Sequence, residues 1–303
     1  MDIKKTKLDR EGIRLTLMAL PFVAFVLAFS YVPLFGWVNA FVHYRPGIPI
    51  FKSPFKGLYY FTVMIQEKSA MLRVLRNTLV MSFLGILCSI LPIIFAILLS
   101  ELPFNRFKRV VQTVTTLPNF VSWIIVYALA FVLFSSEGMW NTFFMGRGWL
   151  ENPVNPFGNE KLTWVIQTAM GVWKSLGWNA IIYLAAIAGV DSELYDAASV
   201  DGAGRFRRIW HITVPGILPT FIVLLLLSAS NILSVGFDQY LVFYNPLVAD
   251  RIEVIDYYVY RMGLVKQDYS FATAVGLLKT LVSLVLLVTI NNLAKRIRGE
   301  SII

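Results

Sequence analysis

Six apolar runs, each near the length a helix needs to cross a bilayer, constrain this chain more than any other feature. A hydrocarbon core about 30 Å thick takes roughly 20 consecutive apolar residues in a helix. Residues 15–38, 78–100, 117–134, 164–188, 217–237 and 271–293 meet or nearly meet that length, the third being the shortest. Backbone polar groups find no water in lipid, so each run is expected to close its hydrogen bonds internally as a helix. The runs do not alternate apolar and polar residues as the strands of a transmembrane barrel do. The expected fold class is all-α integral membrane, one domain over residues 1–303 with six transmembrane helices.

Composition points the same way. The chain is 57% hydrophobic and 15% charged, with a mean hydropathy of +0.66. That is too little charge to keep a chain of this length in water. The net charge of +9 then reads as basic cytoplasmic ends and anionic headgroups, not as a nucleic-acid surface. Lys4, Lys5, Lys7, Arg10 and Arg14 precede the first run, as basic residues precede a signal peptide. That run is about 24 residues, too long for an h-region, and lacks a small-residue cleavage site, so it is read as an uncleaved span. Arg106/Lys108/Arg109, Arg205/Arg207/Arg208 and Lys295/Arg296/Arg298 fall on the same side as the N-terminus. This basic bias is expected to place both termini in the cytoplasm of a multi-pass cell-membrane protein. Arg45, Lys52, Lys56, Lys68, Arg73 and Arg76, in or beside the first outer loop, weaken it.

The loops differ in kind. Residues 39–76 hold Pro46, Pro49 and Pro54, then an apolar-charged stretch expected to form an interfacial amphipathic helix. Residues 138–163, rich in Gly, Asn, Pro and Trp, read as an outer loop, and Asp238 and Gln239 read as facing water. Cys88 stands alone in an apolar run, which leaves no intrachain disulfide and favours a small buried hydrophobe.

Residues 189–219 read GVDSELYDAASVDGAGRFRRIWHITVPGILP. Asp191 and Ser192 suit a helix start, with Glu193 near its positive end. Gly202 and Gly204 permit a sharp turn. Phe206, Ile209 and Trp210 then recur at helical spacing opposite Arg205 and Arg208. Pro215 and Pro219 stand where the next run opens, where a missing N–H costs least. The expectation is a helix-turn-helix with a small-residue surface and a basic rim, and from physics alone an ordinary connector fits as well.

This string resembles the "EAA" signature of the permease subunits of binding-protein-dependent ABC importers. Asp196-Ala197-Ala198 fill the first triplet, Asp201-Gly202-Ala203 the second, and Phe206, Ile209, Ile212, Pro215 and Pro219 come after them at matching spacing. Asp196 for Glu and Val214 for Leu are the departures, and both keep the chemical type. Arg76-Asn77-Thr78-Leu79 also resembles the family's Asn-Thr start of the second span. The chain is most similar to sugar-type permeases of the maltose-like superfamily, in the branch handling oligosaccharides from polysaccharide breakdown, over roughly residues 10–298. The resemblance implies that the loop 189–216, between the fourth and fifth helices, is a cytoplasmic coupling helix docked on an ATPase. Asp196, Ala197, Ala198, Asp201, Gly202, Ala203, Gly204 and Phe206 would be its ATPase-coupling residues, with Asp196 to Ala198 as the docking face and Gly202 making the turn. It further implies a second homologous permease subunit, two cytoplasmic ATPase subunits that use the ATP, and an extracellular substrate-binding protein. This chain would bind no cofactor.

No phosphate-cradling GxxxxGK[ST] occurs, and His43 and His211, the two histidines, form no HExxH. With no metal-ligand spacing and no catalytic constellation, the chain is not expected to be an enzyme. Ionisable residues inside spans are candidate functional groups. Lys174 and Lys279 lie within the fourth and sixth runs, and Ser228, Ser230, Asn231 and Ser234 form a polar stripe in the fifth. Trp173, Lys174, Trp178, Asn179, Asn231 and Lys279 are therefore candidates to line a saccharide pathway, the alternative being packing, carbonyl capping or interhelical glue. A permease for a non-sugar solute and an ion-driven secondary transporter are the competing functions. The latter favours inverted repeats and broken midplane helices, for which the sequence gives no sign.

Overall fold

The structure, a computed structural model, describes residues 10–298. Lys4, Lys5 and Lys7 and the extreme termini lie outside the described residues. Among those described there is no strand, only an isolated bridge between Val42 and Phe55. Helix α1 (Arg10–Val26) runs on through a π turn (Leu27–Tyr31) and a 3-10 stretch (Val32–Phe41). After a loop come α2 (Tyr59–Gln66), α3 (Lys68–Cys88), α4 (Ile90–Ser100), α5 (Asn105–Thr116), a 3-10 turn (Leu117–Phe120), α6 (Trp123–Phe134) and α7 (Met139–Gly146). They are followed by α8 (Glu160–Ala188), α9 (Ser192–Val200), α10 (Arg205–Arg208), a π turn (Ile209–Thr213) and α11 (Val214–Ser230). The chain ends in α12 (Asp238–Phe243), α13 (Ala249–Ile252), α14 (Ile255–Tyr260), a π turn (Arg261–Val265) and α15 (Tyr269–Arg298).

Five helical stretches among the described residues are long and apolar enough to cross a membrane: Gly12–Phe41, Lys68–Ser100, Trp123–Gly146, Arg205–Ser230 and Tyr269–Asn292. The expected fourth run lies in α8. At 29 residues this helix is about 43 Å long, ample for a bilayer, yet with Glu160, Lys161, Gln167, Thr168, Lys174 and Asn179 along it, it is not among the five. The expected third span, 117–134, is not one helix. Val121 and Ser122 adopt extended backbone between the 3-10 turn and α6, and the apolar stretch continues past 134, broken at residues 135–138, into α7. The expected outer loop 138–163 is therefore partly helical.

The described chain divides into two compact units. One comprises residues 10–66 with Val259–Leu278. Here the loop after Phe41 is strapped to the start of α15. The Ser270 hydroxyl accepts the Tyr44 N–H (2.9 Å) and donates to the Val42 carbonyl (2.7 Å), while Tyr44 and Tyr269 meet edge to face at 5.9 Å. The apolar window of the stretch Gly12–Phe41 has no buried residue within the chain, and Phe22, Phe29 and Phe35 are exposed, while Ala40 at its end is buried.

The other unit comprises Glu67–Tyr258 with residues 279–298. Its core joins α4, α8 and α11: Ala96, Ala180 and Tyr183 are buried against Ile93, Leu184, Phe221 and Leu224. Small residues let the helix backbones close up. Gly177 of α8 sits so near α5 that a Cβ there would lie 2.3 Å from the Thr115 carbonyl. The Asn77-Thr78 pair at the expected start of span two is a clamp, fully buried. The Asn77 amide donates to the carbonyls of Asp250 (2.9 Å) and Glu253 (3.0 Å), and the Thr78 hydroxyl accepts the Ile255 N–H (2.9 Å). Ion pairs of Arg76 with Asp250 (3.0 Å) and Arg73 with Glu253 (3.1 Å) hold the same segment, and the guanidinium groups of Arg76 and Arg251 both lie over the Trp164 ring, 5.7 and 4.5 Å from its centroid.

Candidate translocation cavity and coupling loop

Helices α3, α8 and α11, with the unwound chain after Ser230, enclose a cavity of about 550 Å³. Gly171, Ser175 and Asn179 reach it from α8, Ser82 and Gly85 from α3, and Ser228 and Asn231 from the end of α11. Every lining residue is uncharged, and hydroxyls and amides alternate with apolar side chains. Asn231 caps α11 by donating to the Leu227 carbonyl (3.0 Å), and Gly236, at φ +93°, turns the chain into α12. Irregular backbone at this depth is tolerated where it lines a cavity and its groups find partners, and here Ser82 bonds the freed Ile232 carbonyl.

Of the six pathway candidates, Asn179 and Asn231 line the cavity and four do not. The reason is helical period. Successive residues turn about 100° around an α-helix, so the stripe 168, 171, 175, 179 faces the cavity and 174 and 178 face elsewhere. Trp178 packs edge to face on Phe120 at 5.7 Å. Trp173 is half exposed. Lys174 donates to the carbonyls of Pro118 (3.0 Å), Asn119 (2.7 Å) and Val121 (2.7 Å), the groups freed by the break before α6. Lys279 pairs with Asp256 of α14. Gln239, expected in water, is buried at the cavity wall, where its amide donates to both the backbone carbonyl and the side-chain oxygen of Gln167 (2.8 Å each). Gln167, Gly171 and Ser175 were within reach of sequence reasoning, because they share the i, i+4 spacing of Asn179.

The loop 189–216 forms the expected helix-turn-helix. Asp191 caps α9 by accepting the Glu193 N–H (2.9 Å). The helix closes in a Schellman motif: Ala203 N–H bonds the Ala198 carbonyl (2.8 Å), Gly202 N–H bonds the Ser199 carbonyl (3.1 Å), and Gly202 adopts φ +73°. That conformation admits glycine without penalty. The two limbs are braced by Arg208 on Ser199 (2.8 Å), by Tyr195 on the buried Thr213 (3.0 Å), and by Val190 against Gly216. Asp196, Ala197, Asp201 and Gly204 are exposed, while Ala198 and Ala203 are half-buried at a hollow shared with Arg207 and His211. Val200, Phe206 and Trp210 stand 88%, 89% and 71% exposed. Neither Pro215 nor Pro219 ends a helix: α10, the π turn and α11 run unbroken from Arg205 to Ser230.

The chain belongs to the family of binding-protein-dependent transport system inner membrane components, which it matches over residues 81–299. It is a multi-pass membrane permease of an ABC transport system. Among proteins of known role it is 38% identical to the polygalacturonan/rhamnogalacturonan transport system permease protein YteP of Bacillus subtilis, over 99% of this chain and 95% of that one. It is likewise 38% identical to protein LplB of the same organism, over 95% of this chain and 90% of that one. Two solved structures share its fold closely. One is of a bacterial ABC transporter that imports the acidic polysaccharide alginate (TM-score 0.85, 33% identity, 95% of this chain and 97% of that one). The other is of the bacterial alginate ABC transporter in complex with an alginate pentasaccharide-bound periplasmic protein (TM-score 0.86, 32% identity, 96% and 97%).

Proposed function

We propose that this chain is one membrane half of an ATP-driven importer of a saccharide derived from polysaccharide breakdown. It crosses the membrane six times, with α8 as the fourth crossing and both termini in the cytoplasm. The observation that carries the reading is the unbroken helix Arg205–Ser230, whose start belongs to the exposed loop and whose end lines a cavity of hydroxyls and amides. Such a lining suits a hydroxyl-rich solute, which exchanges water for side-chain hydrogen bonds as it passes. The relatives' polysaccharide substrates support the same class.

In this reading the loop is the coupling element. The exposed Val200, Phe206 and Trp210 suit an apolar groove on a cytoplasmic ATPase, because large apolar groups presented together mark a protein contact. The chain itself performs no chemistry: ATP is used by two partner ATPase subunits, a second permease of the same family completes the cavity, and an extracellular binding protein delivers the solute. The α8 stripe of small and polar residues facing the cavity supports α8 as a crossing, since its polar side then faces solute and not lipid.

Mild-detergent purification of this chain from its native membrane, with every co-purifying protein identified, tests the assembly. A Walker-motif ATPase and a second six-span permease are expected. A chain recovered alone that moves solute in liposomes without ATP would replace this reading with an ion-driven one.

A further inference from the structure

We infer that the unit built from residues 10–66 and Val259–Leu278 carries a separate site for the carboxylate of an acidic saccharide. The site is a hollow of about 500 Å³ lined by Arg45, Lys56, Tyr59, Tyr60, Lys266 and Gln267, together with His43, Tyr44 and Asp268. Its size fits a small ligand, on the order of one or two sugar rings. The inference rests on the importer reading, in which an inside N-terminus puts the end of the Gly12–Phe41 helix, and the loop after it, on the outer face.

Three cations meet one carboxylate here, that of Asp268, whose Oδ1 accepts the Phe271 N–H (3.1 Å) at the start of α15, so the hollow carries a net positive charge. No ion pair among the described residues engages Arg45, Lys56 or Lys266. Arg45 is held by one edge only: its Nε donates to His43 Nε2 (3.2 Å), and His43 Nδ1 then donates to the Tyr60 hydroxyl (2.7 Å), a tautomer that the pair of bonds requires. The two terminal nitrogens of the guanidinium make no hydrogen bond among the described residues. They present the fork geometry that matches a carboxylate. Lys56 lies over the Tyr59 ring, 5.9 Å from its centroid, and the exposed face of Tyr59 offers a stacking platform for a sugar ring.

A strained residue completes the hollow. Gln267 sits at φ +60°, where glycine is the ordinary occupant, and strain of this kind collects at ligand sites. The turn is fixed by Lys266 N–H on the Arg261 carbonyl and Asp268 N–H on the Met262 carbonyl (2.9 Å each). Glutamine there keeps an amide on the hollow at a backbone position that does not favour it. The contrast with the cavity of the other unit is the second support. That lining carries no charge at all, so within this chain the charge of an acidic solute is matched at the outer hollow, and the cavity reads hydroxyls alone.

The test uses the complete importer in proteoliposomes with two probes, tri-galacturonate and its methyl ester. In Arg45→Gln/Lys266→Gln the KM for tri-galacturonate is expected to rise about tenfold or more, as loss of a charged hydrogen bond predicts, with kcat within twofold and uptake of the ester unchanged. In the unmodified importer, tri-galacturonate should protect Lys56 and Lys266 from an amine-acylating reagent, and the ester should not, a readout that needs no variant to fold. Equal loss of both probes overturns the proposal in favour of a docking surface for the binding protein. An effect present only in liposomes of anionic lipid overturns it in favour of a lipid headgroup. A wild-type importer that carries neither probe overturns the acidic-saccharide reading at its root, which is distinct from one that carries both with no difference in the variant.

Discussion

Lys174 offers the sharpest test of how this membrane unit is held together. An ammonium has three protons, and here each has a carbonyl: Pro118, Asn119 and Val121, at 3.0, 2.7 and 2.7 Å. The Trp123 ring lies 5.5 Å away and adds a cation–π contact. Lys174→Met keeps most of the volume and removes every donor. A carbonyl left unpaired costs about 1–3 kcal/mol when fully buried, and Pro118, Asn119 and Val121 are half-buried, so each loss lies at or below the low end of that range. Against it stands the desolvation of the ammonium, several kcal/mol, which the variant no longer incurs. No charge is left behind and the contact is half-buried, so the net expectation is about 1–3 kcal/mol. For a chain of this size that lowers the unfolding midpoint by about 5 °C. The assay is thermal unfolding of the detergent-solubilised permease, followed by intrinsic tryptophan fluorescence, beside Lys174→Gln, whose amide recovers part of the loss. A midpoint within about 1 °C of wild type, with uptake abolished, would refute the reasoning and return Lys174 to the solute pathway.

The same geometry sets other expectations. Gly177→Ala places a methyl 2.3 Å from the Thr115 carbonyl, so α5 and α8 must separate; a loss of about 1–3 kcal/mol is expected, sub-additive with Lys174→Met because both act at one junction. Gly202→Val forces a β-branched residue to φ +73°, a cost of about 1–3 kcal/mol; the expected result is a membrane-inserted protein whose substrate-stimulated ATPase activity is lost, and normal stimulation would remove the loop from coupling. Cys88, the lone cysteine and a cavity-lining residue, should make uptake sensitive to small thiol reagents, with Cys88→Ser insensitive and fully active; equal inhibition of both would place Cys88 off the pathway. Asn77→Ala removes a buried donor to the Glu253 carbonyl and one of the two donors on the Asp250 carbonyl, which keeps Arg76, and should destabilise by about 1–3 kcal/mol in all, read as a lower unfolding midpoint.

How much of this was legible in the sequence varies by element. The apolar runs announced a helical membrane protein because lipid leaves the backbone no other solution. The loop was legible because caps and turns are local: Asp191, Gly202 and Ala203 do their work within six residues of themselves. The cavity lining was not, and α8 shows why. Lys174 and Trp178 drew attention as the costly residues of a span, but cost does not reveal facing, and period does. Read at i, i+4, the inconspicuous Gly171, Ser175 and Asn179 are the cavity stripe. The lysines answer to long-range partners, a broken helix some 55 residues earlier for Lys174 and Asp256 for Lys279. The break itself left a trace, Leu117-Pro118-Asn119 within the shortest run, which taken with Lys174 points to a freed carbonyl set and its cap. Gln239 looked exposed because it comes just after a span, yet the unwound chain at Asn231–Gly236 folds it back onto Gln167.

The helix from Arg205 to Ser230 is a lever. At 26 residues it is about 39 Å long, with no loop along it to absorb motion. A tilt of about 10° about its loop end would carry its far end through about 7 Å, more than the width of a sugar ring. If the loop docks as proposed, a small rocking of it would be delivered, undiminished, as an opening or closing of the cavity wall at Ser228. The one softer element is the π turn at Ile209–Thr213, close to the fulcrum, where slack moves the far end most. The bond from Tyr195 to Thr213 sits at that turn, the place on such a rod where stiffness counts for most.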